Sequence, residues 1–169
     1  MNSLHSLLAH AFRDYEAWLL ATNWRGKEHD CVNLFVHKFL FSHVHPAGPI
    51  ADFTQVGIEV GVPQPKGVVG VKPAARKDLV IWSEPYSTTW DAAWNAVKAP
   101  LAIVEWKARK LKSPKPFLFP YDVDWLTRYS LHYPEFTGFC ATVDFTSDTQ
   151  RLHTASIHAG SLRNDFHRL

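Results

Sequence analysis

An α/β fold is the prediction, and three observations carry it. Apolar residues recur at helical spacing near the start of the chain. Residues 55 to 62 alternate strictly, and two short runs, 79 to 82 and 101 to 104, are wholly apolar. The first pattern is that of an amphipathic helix, the second that of a half-buried strand, and the third that of strands covered on both faces. At 169 residues the chain is long enough for one sizeable core, so one domain over 1–169 is expected.

Residues 4 to 22 place Leu4, Leu7, Leu8, Ala11, Tyr15, Trp18 and Leu19 on one helical face that ends near Asn23. After a break at Trp24 to Gly26, a second helix is predicted from Lys27 to Phe41, with Val32, Phe35, Val36, Phe39 and Leu40 as its stripe. Glu28, four residues before Val32, stands at the head of that stripe, while Asp30 faces elsewhere. His43 and His45 sit in a loop; two histidines without a third nearby ligand do not make a zinc site.

Gln55 to Val62 reads as a strand, followed by Gly/Pro turns and a short edge strand at Val68, Val69 and Val71. Asp78 to Trp82 and Leu101 to Lys107 are the next two strands. Between them a short helical insert is predicted from Trp90 to Val97, capped by Thr88 or Thr89, with Trp90, Trp94 and Val97 on one face. A basic, proline-punctuated loop leads to a helix over Tyr121 to Tyr129 that carries Asp122 and Asp124 at its start. Strands at Phe139 to Phe145 and Leu152 to His158 follow, and Gly160 to Leu169 is read as a polar tail.

Composition narrows the function classes. A hydrophobic fraction of 46% with seven Trp and eleven Phe belongs to a folded globular protein. No run reaches the roughly 18 apolar residues of a membrane span, and Met1 to His10 lack the pattern of a secretory signal, so a cytoplasmic, non-membrane location is expected. Cys31 and Cys140 lie in apolar stretches, as buried thiols do, and no Gly-x-Ser-x-Gly elbow supports esterase or protease chemistry. Net charge is only +2, but Lys107, Arg109, Lys110, Lys112 and Lys115 follow one another without an intervening acid, a pattern suited to phosphate contacts.

The charges at the strand ends carry the chemistry. Glu105 and Lys107 share one face of their strand and Trp106 the other. Asp78 and Glu105, on neighbouring strands, are positioned to converge on a hard divalent ion, with the Trp106 carbonyl as a further oxygen donor and Glu28 reaching in from its helix. Lys107 beside such an ion would orient a water molecule or compensate charge on a phosphoryl transition state.

Asp78, then Glu105-x-Lys107 at the end of an apolar strand, preceded by the Lys27-Glu28 helix, resembles the PD-(D/E)xK, or restriction endonuclease-like, nuclease superfamily in a bacterial or phage branch. Lys77 stands where that pattern has proline. The resemblance covers about 27–158. It implies an αβββαβ core with a mixed central sheet flanked by helices, to which this chain adds an N-terminal helix and the short insert.

It also implies a Mg2+-dependent deoxyribonuclease, with Mn2+ able to substitute. Asp78, Glu105, Glu28 and the Trp106 carbonyl would hold the metal, Lys107 would be the catalytic lysine, and Arg109, Lys110, Lys112 and Lys115 would contact DNA. RNA stays open as a substrate, and the tryptophans around the insert offer a homodimer contact. The alternative is a catalytically inactive nucleic-acid-binding or protein-interaction module on the same fold.

Overall fold

A mixed six-stranded sheet flanked by helices organises the chain, and its strands follow one another in space in the order they follow in sequence. The computed structural model describes residues 3–65, 72–110, 116–146, 148–164 and 167. The strands are β1 (Val56–Pro63), β2 (Ala74–Ile81), β3 (Ala102–Arg109), β4 (Thr137–Asp144), β5 (Arg151–His158) and β6 (Ser161–Asn164). All neighbours are antiparallel except β3 and β4, which run parallel. A parallel pair needs a crossover, and α3 (Pro120–His132) supplies it.

The other face of the sheet is covered by α1 (Ser3–Thr22) and α2 (Glu28–Leu34). The second helix does not stop at Leu34. It widens to a π-helical turn over Phe35–Leu40, closes with a 3-10 turn at Phe41–His43, and so occupies the predicted span. Leu79, Ile81, Val104, Trp106, Phe139, Ala141 and Val143 point into the α1/α2 layer, while Val80, Ile103, Cys140, Ala155 and Ile157 point to α3. That two-residue alternation is the expected one for strands covered on both faces. Gly138 lets α3 approach β4 closely, since a Cβ there would lie 2.9 Å from the Leu126 Cβ.

Three expectations need comment. The predicted helix from Trp90 to Val97 is instead a turn closed by a bridge between Trp90 and Ala96. Asp91 is the cause: its carboxylate accepts the backbone N–H groups of Ala93 and Asn95 at 2.9 and 2.8 Å, offering the backbone a local partner that competes with helix formation. Trp94 adopts a φ of 62° and is 78% exposed, so the three residues do not share a packed face. Residues 161–164, read as tail, form β6 on the edge of β5; all four are exposed and polar patterning gave no sign of a strand. The short strand predicted at Val68 to Val71 lies outside the described residues.

Candidate active site

The site is built on β3. Trp106 is fully buried on the α1/α2 side, with ring centroids 5.1 Å from Phe35, 5.6 Å from Tyr15 and 5.7 Å from Phe12. Fixing that indole fixes its neighbours, because alternation then sends Glu105 and Lys107 to the opposite, α3 side. Glu105 is buried there and Lys107 half-buried.

Asp78 and Lys77 arrive from β2 through a local inversion. On β1, Val56 and Ile58 pack with the α1/α2 layer whereas Val60 packs with the α3 layer, although all three are even-numbered. On β2, Leu79 and Ile81 belong to the first layer and Ala75 to the second. The switch falls at Glu59 and Asp78, which lie between the paired residues Ile58 and Leu79 on one side and Val60 and Lys77 on the other. Glu59 takes a φ of 54°, the left-handed conformation that breaks strand parity. Consecutive side chains, Lys77 and Asp78, therefore both line one pocket. The β2–β3 ladder is paired only as far as Leu79 and Val104; beyond it, Asp78 Oδ2 accepts the Trp106 N–H at 2.7 Å.

Two more acids close on the same point. Glu28 comes from the first turn of α2. Asp122 comes from the first turn of α3, which the crossover returns to the carboxyl end of β3. Lys107 Nζ sits among them, 3.3 Å from Asp122 Oδ2, 3.5 Å from Glu28 Oε1 and 3.9 Å from Asp78 Oδ2, and donates to the Trp106 carbonyl at 2.7 Å. Glu105 is paired with the other lysine: Lys77 Nζ lies 2.5 Å from its Oε1 and 3.6 Å from the centre of the Trp125 ring. Trp125 is held in turn by its indole N–H on Gln64 Oε1 at 2.7 Å.

The surrounding volume is about 660 Å³ and open, with Lys72, Arg76 and Tyr121 at its walls beside the acids and lysines. Burial raises the Glu105 carboxyl to about 7; the attraction of Lys77 opposes this, and the Asp78 and Asp122 charges reinforce it. For Lys107, burial alone would lower the proton affinity, but Asp122, Asp78, Glu28 and Glu105 outweigh it and raise the ammonium above its ordinary range.

Four carboxylates thus face two ammonium groups. Among the described residues, no group of three or more His, Cys, Asp or Glu side chains is arranged so that it could hold a metal ion. The oxygens of Glu28, Asp78, Asp122 and the Trp106 carbonyl instead converge on the Lys107 ammonium. A divalent ion at these oxygens would have to displace the Lys107 ammonium.

Asp78, Glu28 and the Trp106 carbonyl thus meet at Lys107, while Glu105 lines the same pocket paired with Lys77. Lys77 and Asp122 are additional. A lysine within a strand reads as solvated, and an aspartate in a first helical turn reads as a complement to the helix dipole; only the position of α3 after β3 hinted at the latter. Asp124, two residues on, turns away to pair with Arg128 at 2.9 Å. Glu59 pairs with Arg76 at 3.3 Å, away from the cluster of acids around Lys107.

The basic run is divided. Arg109 pairs with Asp144 at 3.2 Å and stacks on Phe117, Lys110 is exposed in a second cleft with Arg25, Lys27 and Asp30, and Lys112 and Lys115 lie outside the described residues. Both cysteines are buried and outside any disulfide, and burial pushes each thiol up to about 12, which disfavours the reactive thiolate. His43 contacts Asp14 at 3.3 Å and His45 accepts the Ala47 N–H, each a local role. Among the described residues, no helix is long and apolar enough to cross a membrane.

No protein-family model, curated protein or solved structure matches this chain, so the geometry of the pocket is what any functional reading rests on.

Proposed function

We propose that the protein is a Mg2+-dependent nuclease that hydrolyses DNA phosphodiester bonds, on a restriction endonuclease-like αβββαβ core. The observation that carries this reading is the convergence of Glu28, Asp78, Asp122 and the Trp106 carbonyl on one cationic centre, the Lys107 ammonium, which with Asp78 and Asp122 lines an open pocket. The placement of Asp78 and Glu105-x-Lys107 on adjacent strands, followed by a crossover helix, supports it further.

Asp78, Glu28 and the Trp106 carbonyl would hold the ion, with the second oxygen of Glu105 beside them; Mn2+ would substitute for Mg2+. When bound, the ion polarises a phosphate oxygen and makes a water molecule more acidic. Lys107, released from its acids, donates to the attacking water or to a non-bridging phosphate oxygen and stabilises the charge that develops there. Asp78 keeps its bond to the Trp106 N–H throughout and so holds β2 and β3 in register beside the phosphate. Lys72 and Arg76 at the pocket, and Arg25, Lys27 and Lys110 in the second cleft, supply positive charge for the flanking strand.

The test is cleavage of plasmid and oligonucleotide DNA with Mg2+ and Mn2+. Activity is expected to disappear in Glu105→Ala and Lys107→Ala while circular dichroism stays native. Absence of cleavage across metals and substrates, with DNA still bound, rejects the catalytic reading. That outcome would favour the second reading, a binding module on the same fold. Its support is that Glu105 is already satisfied by Lys77 and that Tyr86 and Trp94 present exposed rings for contact.

A further inference from the structure

We infer that the second cleft, between the start of α2 and the carboxyl ends of β3 and β4, is where a single-stranded segment of nucleic acid docks, and that this docking needs no metal. The inference rests on the nuclease reading only in taking nucleic acid as the polyanion. Charge separates the two concavities. In the pocket the four cations Lys72, Arg76, Lys77 and Lys107 meet five carboxylates, because Glu28 and Glu59 add to Asp78, Glu105 and Asp122. One negative charge is left over, so the pocket by itself does not attract a polyanion. In the cleft Arg25, Lys27 and Lys110 meet Asp30 alone, which leaves a net charge of +2. Among the described residues, no ion pair engages Lys27 or Lys110, and both are exposed.

The loop that presents these cations is fixed from below. The Trp24 indole packs between Trp18 and Phe145, with ring centroids 5.7 and 6.4 Å away, and Gly26 lies so close to it that a Cβ there would collide with the ring. The Arg25 guanidinium donates to the Phe145 carbonyl at 2.9 Å, and the Lys27 backbone N–H donates to the Asp30 carboxylate at 2.9 Å. A cleft of about 520 Å³ with Phe145 in its wall suits one backbone segment with an unstacked base; a duplex, whose phosphates lie on a convex surface, meets only the rim. Cleft and pocket are joined by neighbouring residues. Lys27 lines the cleft while Glu28 contacts Lys107, and Lys110 follows Lys107 by three residues, about 10 Å along the strand. At roughly 3.4 Å per nucleotide, a strand held in the cleft presents to the pocket a phosphate about three nucleotides away.

The experiment is fluorescence anisotropy of a fluorescein-labelled single-stranded oligothymidylate in EDTA, over a series of salt concentrations. Wild type is expected to bind. The double variant Lys27→Gln/Lys110→Gln is expected to bind about 25-fold more weakly at roughly 0.1 M salt, its double-logarithmic salt slope reduced by about 1.4, at about 0.7 per phosphate contact on a single strand. A control that removes two surface cations elsewhere, Lys98→Gln/Arg128→Gln, is expected to stay within about twofold of wild type. Absence of metal-free binding, a double variant that binds like wild type, an equal loss in the control, or tighter binding of the oligothymidylate in duplex form would each overturn the assignment. If the double variant does not fold, Lys110→Gln alone is expected to lose about fivefold. Cleavage assays keep the two readings apart. Collapse of binding in the double variant of a protein that cuts nothing upholds the cleft and removes the nuclease; unimpaired cutting by that variant at sub-saturating DNA removes the cleft and leaves the nuclease.

Discussion

Replacing Asp78 by alanine and by asparagine separates what its carboxylate does for the sheet from what it does in the pocket. Its Oδ2 accepts the Trp106 N–H at 2.7 Å just where the β2–β3 ladder ends. Alanine leaves that N–H without its partner, which costs about 1–3 kcal/mol for a buried donor. The Asp78 side chain is 25% exposed, so water can partly replace the lost acceptor, and the lower half of that range, about 1–2 kcal/mol, is the expectation. For a chain of this size that is a fall in Tm of roughly 2–8 °C. Asparagine retains an acceptor oxygen and should keep the midpoint within about 1 kcal/mol of wild type. Under the nuclease reading both variants lose metal-dependent cleavage, by about 100-fold or more. Urea unfolding and a plasmid assay on the three proteins decide the matter. An alanine variant as stable as wild type would refute the structural role, and an asparagine variant that cleaves DNA normally would refute the catalytic one.

Other consequences follow from the same geometry. Lys107→Ala leaves Glu28, Asp78 and Asp122 facing one another, so its Tm should rise more steeply with added Mg2+ than that of wild type; equal slopes in differential scanning fluorimetry would contradict the cluster. Glu105 has a folded-state pKa of about 7 against an ordinary 4.5, so the folded chain binds its proton more tightly than the unfolded chain does. Its ionisation therefore costs stability progressively as pH rises from about 4.5 to about 7, and the cost is constant above that window. Urea midpoints of wild type relative to Glu105→Gln should accordingly fall across that range, and parallel curves would show that burial does not dominate. Gly138→Ala pushes a methyl into Leu126 and should cost about 1–3 kcal/mol by overpacking, read from the urea midpoint.

Much of this architecture was legible in the residues. Alternation in Phe139 to Phe145, apolar continuity in Leu101 to Val104 and the spaced stripe of α1 each have one good physical solution, and the structure adopts it. What could not be read depended on tertiary geometry or on competing local bonds. The Trp90 segment has a helical stripe, but the Asp91 carboxylate captures the backbone first. Strand parity predicts that Lys77 and Asp78 face opposite ways, and a left-handed Glu59, not a glycine, defeats it. Asp122 became visible only when the length of the crossover placed the start of α3 over Lys107.

A two-stranded ribbon that changes faces midway is a natural place to flex. The half of β1 and β2 beyond Glu59 and Asp78 packs with the α3 layer alone, so it can swing without disturbing the packing beneath α1 and α2. We expect the mouth of the pocket at Lys72 and Arg76 to widen by such a swing, with Lys77, tied to Glu105 and Trp125, as its fixed end. Faster amide exchange at 61–62 and 75–76 than at 79–81 would reveal it, and uniform protection along both strands would exclude it.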